Sequence, residues 1–198
     1  MDKKSQTQET YNTSAEGMAK KFNEGGARIK EIDFAFSHIN KANPKVLELG
    51  CGNGRDAEEI IKRTNNYIGI DYSEKLLELA KKQAPKARFE LADLDSYEFP
   101  KNLDIVFSFA TLLHSDKTQM QAVLDKTYTA LNKGGIFFLS LNYGEYKEET
   151  RTDSWGTRTF YLYTPELMSQ LAAKYNILLK QRYKMPNGVE WFVIALQK

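Results

Sequence analysis

One stretch narrows the folds open to this chain more than any other: Val46-Leu47-Glu48-Leu49-Gly50-Cys51-Gly52-Asn53-Gly54-Arg55-Asp56. An apolar run with an acid near its end leads into three alternating glycines, and an amphipathic segment starts directly after them. An apolar run without alternation reads as a strand buried on both faces, the setting of a parallel sheet covered by helices. Glycine is required where backbone must turn tightly and approach a ligand closely. A helix that begins at such a loop aims unpaired N–H groups at the ligand. Strand, loop and helix in this order make a ligand cradle at the carboxyl edge of an α/β sheet.

The flanking chain agrees with that edge. Residues 1–12 are polar and read as a loose arm. Thr13 to Ile39 reads as helical, with a stripe of Ile29, Ile32, Phe36 and Ile39, and Gly25-Gly26 divides it in two. The first strand is expected over Lys45–Leu49, a helix over Asp56–Arg63, and a strand over Tyr67–Asp71. Ser73 caps a helix over Glu74–Gln83, which Pro85 closes. Strands are expected over Ala87–Leu91 and Leu103–Ala110. Asp116 and Gln119 have the spacing of a capping box for a helix reaching Leu131, with Asn132-Lys133-Gly134-Gly135 as its stop signal.

Ile136–Leu141 reads as a fifth strand, and Gly144–Thr159 as a long loop without periodicity, the kind that is functional or mobile. Thr164-Pro165-Glu166 opens another helix. The strands Ile177–Tyr183 and Val189–Gln197 flank Pro186-Asn187-Gly188 as a hairpin. The expected fold is α/β: a Rossmann-like doubly wound sheet, mostly parallel, of about seven strands, with an antiparallel C-terminal hairpin and helices on both faces. A single domain over 1–198 is expected, with a helical lid over 1–43 and the Rossmann-like core over 44–198.

The loop also discriminates between ligands. A dinucleotide site needs G-x-G-x-x-G; here the glycines run G-x-G-x-G, and Arg55 stands where the third dinucleotide glycine would be. Glu48 would repel a pyrophosphate, whereas it suits S-adenosylmethionine, which carries an ammonium and a sulfonium. Asp71 ends the second strand about twenty residues after the loop, where a carboxylate can accept both ribose hydroxyls. Asp93 follows the third strand, placed to accept from an adenine amino group, with Asp95 as its rival. With the Leu103-Asp104-Ile105-Val106-Phe107 strand and the Leu131-Asn132-Lys133-Gly134-Gly135 turn, this ordered set resembles the class I S-adenosylmethionine-dependent methyltransferases, in particular the small bacterial methyltransferase-11/25-like domains. Leu112-Leu113-His114 and Phe160-Tyr161-Leu162-Tyr163 carry the finer likeness. One departure is minor: Asn132-Lys133-Gly134-Gly135 stands where the family shows Lys-Pro-Gly-Gly.

The resemblance implies that S-adenosyl-L-methionine is held, and S-adenosyl-L-homocysteine released, by Glu48, Gly50, Cys51, Gly52, Asn53, Gly54, Arg55, Asp71, Tyr72, Asp93, Leu94, Phe109 and Ala110. Tyr11 and Phe22 either fold over the cofactor, as in the family's N-terminal lid, or simply pack. Cys51 is read as a small, unreactive loop residue. His114 follows the fourth strand, where an acceptor would meet the methyl group, and is the candidate catalytic base. Tyr146, Arg151, Trp155 and Arg158 in the long loop are candidates to cover or recognise the acceptor.

Composition limits the rest. With 41% hydrophobic and 27% charged residues and a net charge of +2, the chain reads as globular, soluble and cytoplasmic, without a membrane span or a nucleic-acid footprint. A single cysteine excludes an internal disulfide and a Cys-based metal cluster, and no metal is expected. Ser108-Phe109-Ala110-Thr111 stands where exocyclic-amine methyltransferases of nucleic acid carry Asn/Asp-Pro-Pro-Tyr/Phe. The expected acceptor is therefore a small molecule, with oxygen, nitrogen or sulfur receiving the methyl. Protein or tRNA acceptors, a non-catalytic S-adenosylmethionine-binding protein and an NAD(P)-dependent oxidoreductase are the rivals. Whether the chain is a monomer or dimer stays open.

Overall fold

The apolar strands sort themselves into one sheet by burial. In the computed structural model, which describes residues 2–198, β1 (Val46–Leu49) and β4 (Leu103–Phe109) are buried along their whole length and lie side by side at the centre. Outward from β1 run β2 (Tyr67–Asp71) and β3 (Arg88–Leu91); outward from β4 run β5 (Leu131–Asn142), β9 (Glu190–Gln197) and β8 (Asn176–Lys184). The order is β3-β2-β1-β4-β5-β9-β8. The first five strands pair in parallel, and β9 pairs antiparallel with both β5 and β8. This is the expected doubly wound sheet with its terminal hairpin.

Strand alternation splits the core between the two faces. Leu47, Leu49, Val106, Phe137 and Leu139 pack with Met120, Val123 and Leu124 of α6 (Lys117–Ala130) and Met168 of α7 (Pro165–Leu171). Val46, Ile105, Phe107, Ile136 and Phe138 pack with Ile32 and Ala35 of α3 (Ile29–Ser37) and with Ala57 and Ile60 of α4 (Arg55–Ile60). Between β2 and β3 lies α5 (Glu74–Gln83), where Ser73 Oγ accepts from Leu76 N as a cap. The Asp116–Gln119 capping box is formed on both sides.

Four expectations need correction. The N-terminal arm is helical: α1 (Lys3–Thr13) is capped by Asp2, whose side chain accepts from Ser5 N, and α2 (Ala15–Glu24) follows it; Met1 lies outside the described residues. Ile29 does not join the apolar stripe and is 46% exposed, because α3 begins at that residue and only its later turns reach the sheet. Helix α6 ends at Ala130 with extended Leu131 as its cap, so Gly134 (φ +80°) serves an irregular stretch of β5 and not a helix stop. Finally, the long loop is a hairpin, β6 (Glu148–Asp153) paired antiparallel with β7 (Gly156–Tyr161).

That hairpin and α1 form a roof over the carboxyl edge of the sheet. Thr10 Oγ1 donates to the Thr157 carbonyl (2.7 Å), Ser14 Oγ to the Trp155 carbonyl (2.6 Å), and Thr159 N to Thr7 Oγ1 (3.2 Å). The Trp155 indole seats on α2 at Gly17, where an added Cβ would stand 2.1 Å from the ring.

Candidate functional site

The chain reverses its winding between β1 and β4, and the loops leaving those strands open a crevice at the sheet's carboxyl edge. A cavity of about 1540 Å³ fills this crevice under the roof. Its size exceeds the roughly 300–1,000 Å³ of a site for one drug-sized ligand, so it has room for two.

The glycine loop forms one wall. Gly50, Gly52 and Gly54 all take positive φ, at +68°, +56° and +79°. Gly50 lies against Thr111 and Gly54 against Ala80, while a Cβ built on Gly52 meets nothing within 4 Å. Asp71 pins this wall: its Oδ2 accepts from Gly52 N and its Oδ1 from Ser73 N, both at 2.8 Å. Burial raises the Asp71 carboxyl to about 6, against the pull of the Ser73 and Gly52 amides. Glu48 is buried on the α3 side and accepts from the Tyr67 hydroxyl (2.6 Å); burial, then the neighbouring Asp56 carboxylate, pushes its carboxyl well above the ordinary range. Cys51 is buried, and burial pushes its thiol up, away from the reactive thiolate. Because α4 is so short, the cradle consists of loop backbone more than of a helix end.

The segment before β1 is fastened to the same loop. Arg28 binds Asp56 through its guanidinium (2.7 Å) and through its backbone N–H (2.8 Å), and lies over the Phe109 ring at 5.0 Å. Arg55 donates to the Phe22 carbonyl (3.1 Å) and also pairs with Asp56, while Asn53 donates to Asn23 (2.8 Å). Asn53 and Arg55 thus tie the loop to α2, and both border the cavity. Ala110 is a non-glycine residue at φ +58°, held there by its N–H on Ser140 Oγ (3.0 Å).

At the far end of β2 and β3 the expected residues are spread. Tyr72 approaches Tyr11 with ring centroids 6.4 Å apart, and Leu94 borders the cavity. Asp93 is 45% exposed and receives the Lys4 ammonium on both oxygens at 2.6 Å; the same ammonium reaches Asp95.

His114 ends a short 3₁₀ turn, Leu112–His114, after β4. Its Nδ1 lies 2.5 Å from the Thr159 carbonyl, which can only accept, so Nδ1 carries the proton and Nε2 receives the Tyr11 hydroxyl at 2.9 Å. Burial, with Arg158 and Arg151 nearby, lowers its pKa from 6.5 to about 4. Phe160 packs against the imidazole at 4.8 Å, and both arginines lie over the Phe160 ring, at 4.7 Å for Arg151 and 5.5 Å for Arg158.

Two residues that line the cavity each carry a buried polar atom with no partner among the described residues: Asn142, through Oδ1, at the end of β5, and Arg158, through Nε. Asn142 is legible in sequence only through its place at a strand's carboxyl end. Lys4, Arg28 and Asp56 carry no signal in sequence, because their partners are remote along the chain. Among the described residues no group of three or more His, Cys, Asp or Glu is arranged to hold a metal ion, and no helix is long and apolar enough to cross a membrane.

Known proteins share part of this sequence and its fold. Residues 46–135 match the family model of a methyltransferase domain. Malonyl-[acyl-carrier protein] O-methyltransferase 1 of Ilyobacter polytropus is 34% identical over 105 residues, covering 50% of this chain and 38% of that protein. Trans-aconitate 2-methyltransferase of Variovorax paradoxus is 32% identical over 102 residues, covering 49% and 38%. The match thus spans about two fifths of these curated relatives. Among solved structures, the Burkholderia thailandensis 1,6-didemethyltoxoflavin-N1-methyltransferase, crystallised with S-adenosylhomocysteine, superposes with a TM-score of 0.77 at 17% identity, over 96% of this chain and 86% of its own.

Proposed function

With residues 46–135 a methyltransferase domain on a class I S-adenosylmethionine-dependent methyltransferase fold, we propose that the chain is an enzyme that moves a methyl group from S-adenosylmethionine to a small molecule. The observation that carries this reading is the Gly50–Gly54 loop, pinned by Asp71 through Gly52 N and open to the cavity at Gly52. The donor set suits a cationic ligand. Asp71 is a buried acid beside the loop, Glu48 is a second one whose burial favours its neutral form, and the basic groups bordering the loop, Arg28 and Arg55, are already committed to Asp56. A pyrophosphate would find carboxylates where it needs cations, which disfavours a dinucleotide.

In this reading Asp71 holds the ribose, Glu48 lies toward the ammonium, and Gly50, Cys51, Gly52, Asn53, Gly54 and Arg55 shape the floor. Tyr72, Asp93 and Leu94 border the base, and Phe109 and Ala110 border the methionine arm. When bound, S-adenosylmethionine supplies a methyl carbon already activated by positive sulfur. The protein's work is then alignment and exclusion of water. The helices before residue 44 close over the loop through Arg28, Asn23 and Phe22, and so act as a lid.

His114 stays neutral near pH 7 with its Nε2 lone pair accepting from the Tyr11 hydroxyl, and both residues line the cavity. An imidazole with a pKa near 4 is a weak base, so the pair suits orienting an acceptor that is already nucleophilic.

Replacing Asp71 with alanine is expected to cost roughly 1–3 kcal/mol of S-adenosylhomocysteine affinity, the scale of a charge-assisted hydrogen bond. Calorimetric titration checks this, and an unchanged affinity sinks the ribose assignment. Transfer of labelled methyl from S-adenosylmethionine into a metabolite extract separates an enzyme from a non-catalytic binder. The His114→Ala protein in the same assay is expected to transfer more slowly while binding cofactor normally.

A further inference from the structure

We infer that the acceptor is a small organic acid whose carboxylate is held by Arg158, with Arg151 beside it, at the hairpin end of the cavity. This rests on the methyl-transfer reading above and names the class of molecule on its receiving side.

Arg158 stands on β7, and its side chain is only 13% exposed. One terminal nitrogen is taken by Asp153, while Nε is fully buried and has no partner among the described residues. Nε is closed to a ligand, so contact with a bound oxygen falls to the terminal nitrogen that Asp153 leaves. Guanidinium edges match planar carboxylates through parallel N–H donors. Arg151, from the paired position on β6, is held by Glu149 (Nε to Oε2, 3.0 Å) and flanks the same Phe160 ring.

Charge selects among anions. Each arginine already has one acid on the hairpin, so the cluster recruits by a directed edge more than by net charge. That favours a monoanionic, planar group over a dianionic phosphate. Tyr11 and His114 border the same end of the cavity, the two arginines reach the same aromatic ring as His114, and the cavity continues from there to the glycine loop. An acid held at Arg158 therefore shares one continuous space with the cofactor cradle.

The test is calorimetric titration of the protein saturated with S-adenosylhomocysteine. The panel contains aliphatic and aromatic mono-, di- and tricarboxylic acids, each with its primary amide, and phosphate monoesters. At least one acid is expected to bind 30-fold or more tightly than its amide. Arg158→Gln is expected to weaken that acid 30-fold or more and to shift S-adenosylhomocysteine affinity less than threefold. Amides binding as well as acids, phosphate monoesters binding better, or R158Q leaving acid affinity unchanged would each overturn the proposal. If R158Q also loses S-adenosylhomocysteine affinity, Arg158→Lys decides, since it keeps charge but lacks the fork, and an unchanged acid affinity there overturns the proposal. If the unaltered protein binds no S-adenosylhomocysteine, the methyl-transfer reading fails, and the acid-against-amide comparison on the protein alone still decides the anchor.

Discussion

Alanine at Gly50 is expected to destabilise the fold by roughly 2–5 kcal/mol, while alanine at Gly52 costs about 1 kcal/mol and spoils cofactor binding. The two positions look alike in sequence and share a left-handed backbone, at φ +68° and +56°. Each substitution therefore meets the same backbone penalty of roughly 1–2 kcal/mol. The difference lies in what the new methyl meets. At Gly50 it stands 2.1 Å from Thr111 Oγ1 and 2.7 Å from Thr111 Cβ, so the β4 exit loop must move. At Gly52 it meets nothing of the protein and points into free space beside the pinned loop. Thermal unfolding should show a fall of about 4–20 °C for Gly50→Ala in a chain of this size. Gly52→Ala should unfold within a few degrees of the parent yet bind S-adenosylhomocysteine at least tenfold more weakly. Equal stability of the two variants would contradict the packing argument, and normal affinity in Gly52→Ala would contradict the cradle.

A second large effect is expected in acid, where two buried groups work against each other. His114 titrates near 4 in the folded chain, below its ordinary 6.5, so its contribution is complete above pH 6.5 and is lost as pH falls through 4. Asp71 titrates near 6, above its ordinary 3.8, so its contribution is complete below pH 3.8 and is lost as pH rises through 6. Between pH 4 and 6 the unfolded chain holds a proton on His114, while the folded chain holds one on Asp71. The two terms cancel in large part. Removing either exposes the other. Relative to the parent at each pH, Asp71→Asn should lose up to about 3 kcal/mol of stability on going from pH 6.5 to 4, and His114→Gln should gain about as much. Urea unfolding at half-unit pH intervals measures both, and parallel profiles for all three proteins would refute the assignment of either buried group.

The parts of the fold legible in sequence were those with local causes. Tyr67–Asp71 is an apolar run bounded by Asn65-Asn66 and Ser73, and it is β2 to the residue. The Asp116 and Gln119 spacing encodes its own hydrogen bonds. The polar hairpin was illegible because Glu148–Asp153 is charged or hydroxylated on both faces and buries almost nothing; it is a strand only because β7 lies beside it. Helix α1 hid for a similar reason. Its sequence, KKSQTQETYNT, has no apolar face, and its two buried residues are threonines.

The site divides the same way. Glycine spacing and the carboxylates ending β1 and β2 could be read directly, because sheet topology brings successive strand ends together. The Arg28–Asp56 and Lys4–Asp93 pairs span parts of the chain with no shared pattern, so only the fold joins them. His114 was readable as a residue near the acceptor. Its proton was not, since the tautomer depends on a carbonyl of Thr159 from the distant hairpin.

The roof stitched between α1 and β7 also sets a rhythm. Three hydroxyl groups, on Thr7, Thr10 and Ser14, hold segments some 140 to 150 residues apart, and Thr7 and Thr10 are themselves the two buried residues of α1. At a net value near 1 kcal/mol per hydrogen bond, parting the seam costs about 3 kcal/mol. Breaking those three bonds alone is roughly a one-in-150 event, and the Tyr11–His114 and Gln8–Tyr72 bonds, the Lys4–Asp93 pair and the Trp155 seat must also give before the crevice is uncovered. Lid motions of this kind run on microsecond-to-millisecond scales. Ligands would enter and leave through brief, rare openings, and a threonine–serine fringe that lies wholly outside the glycine loop shares in setting the waiting time between them.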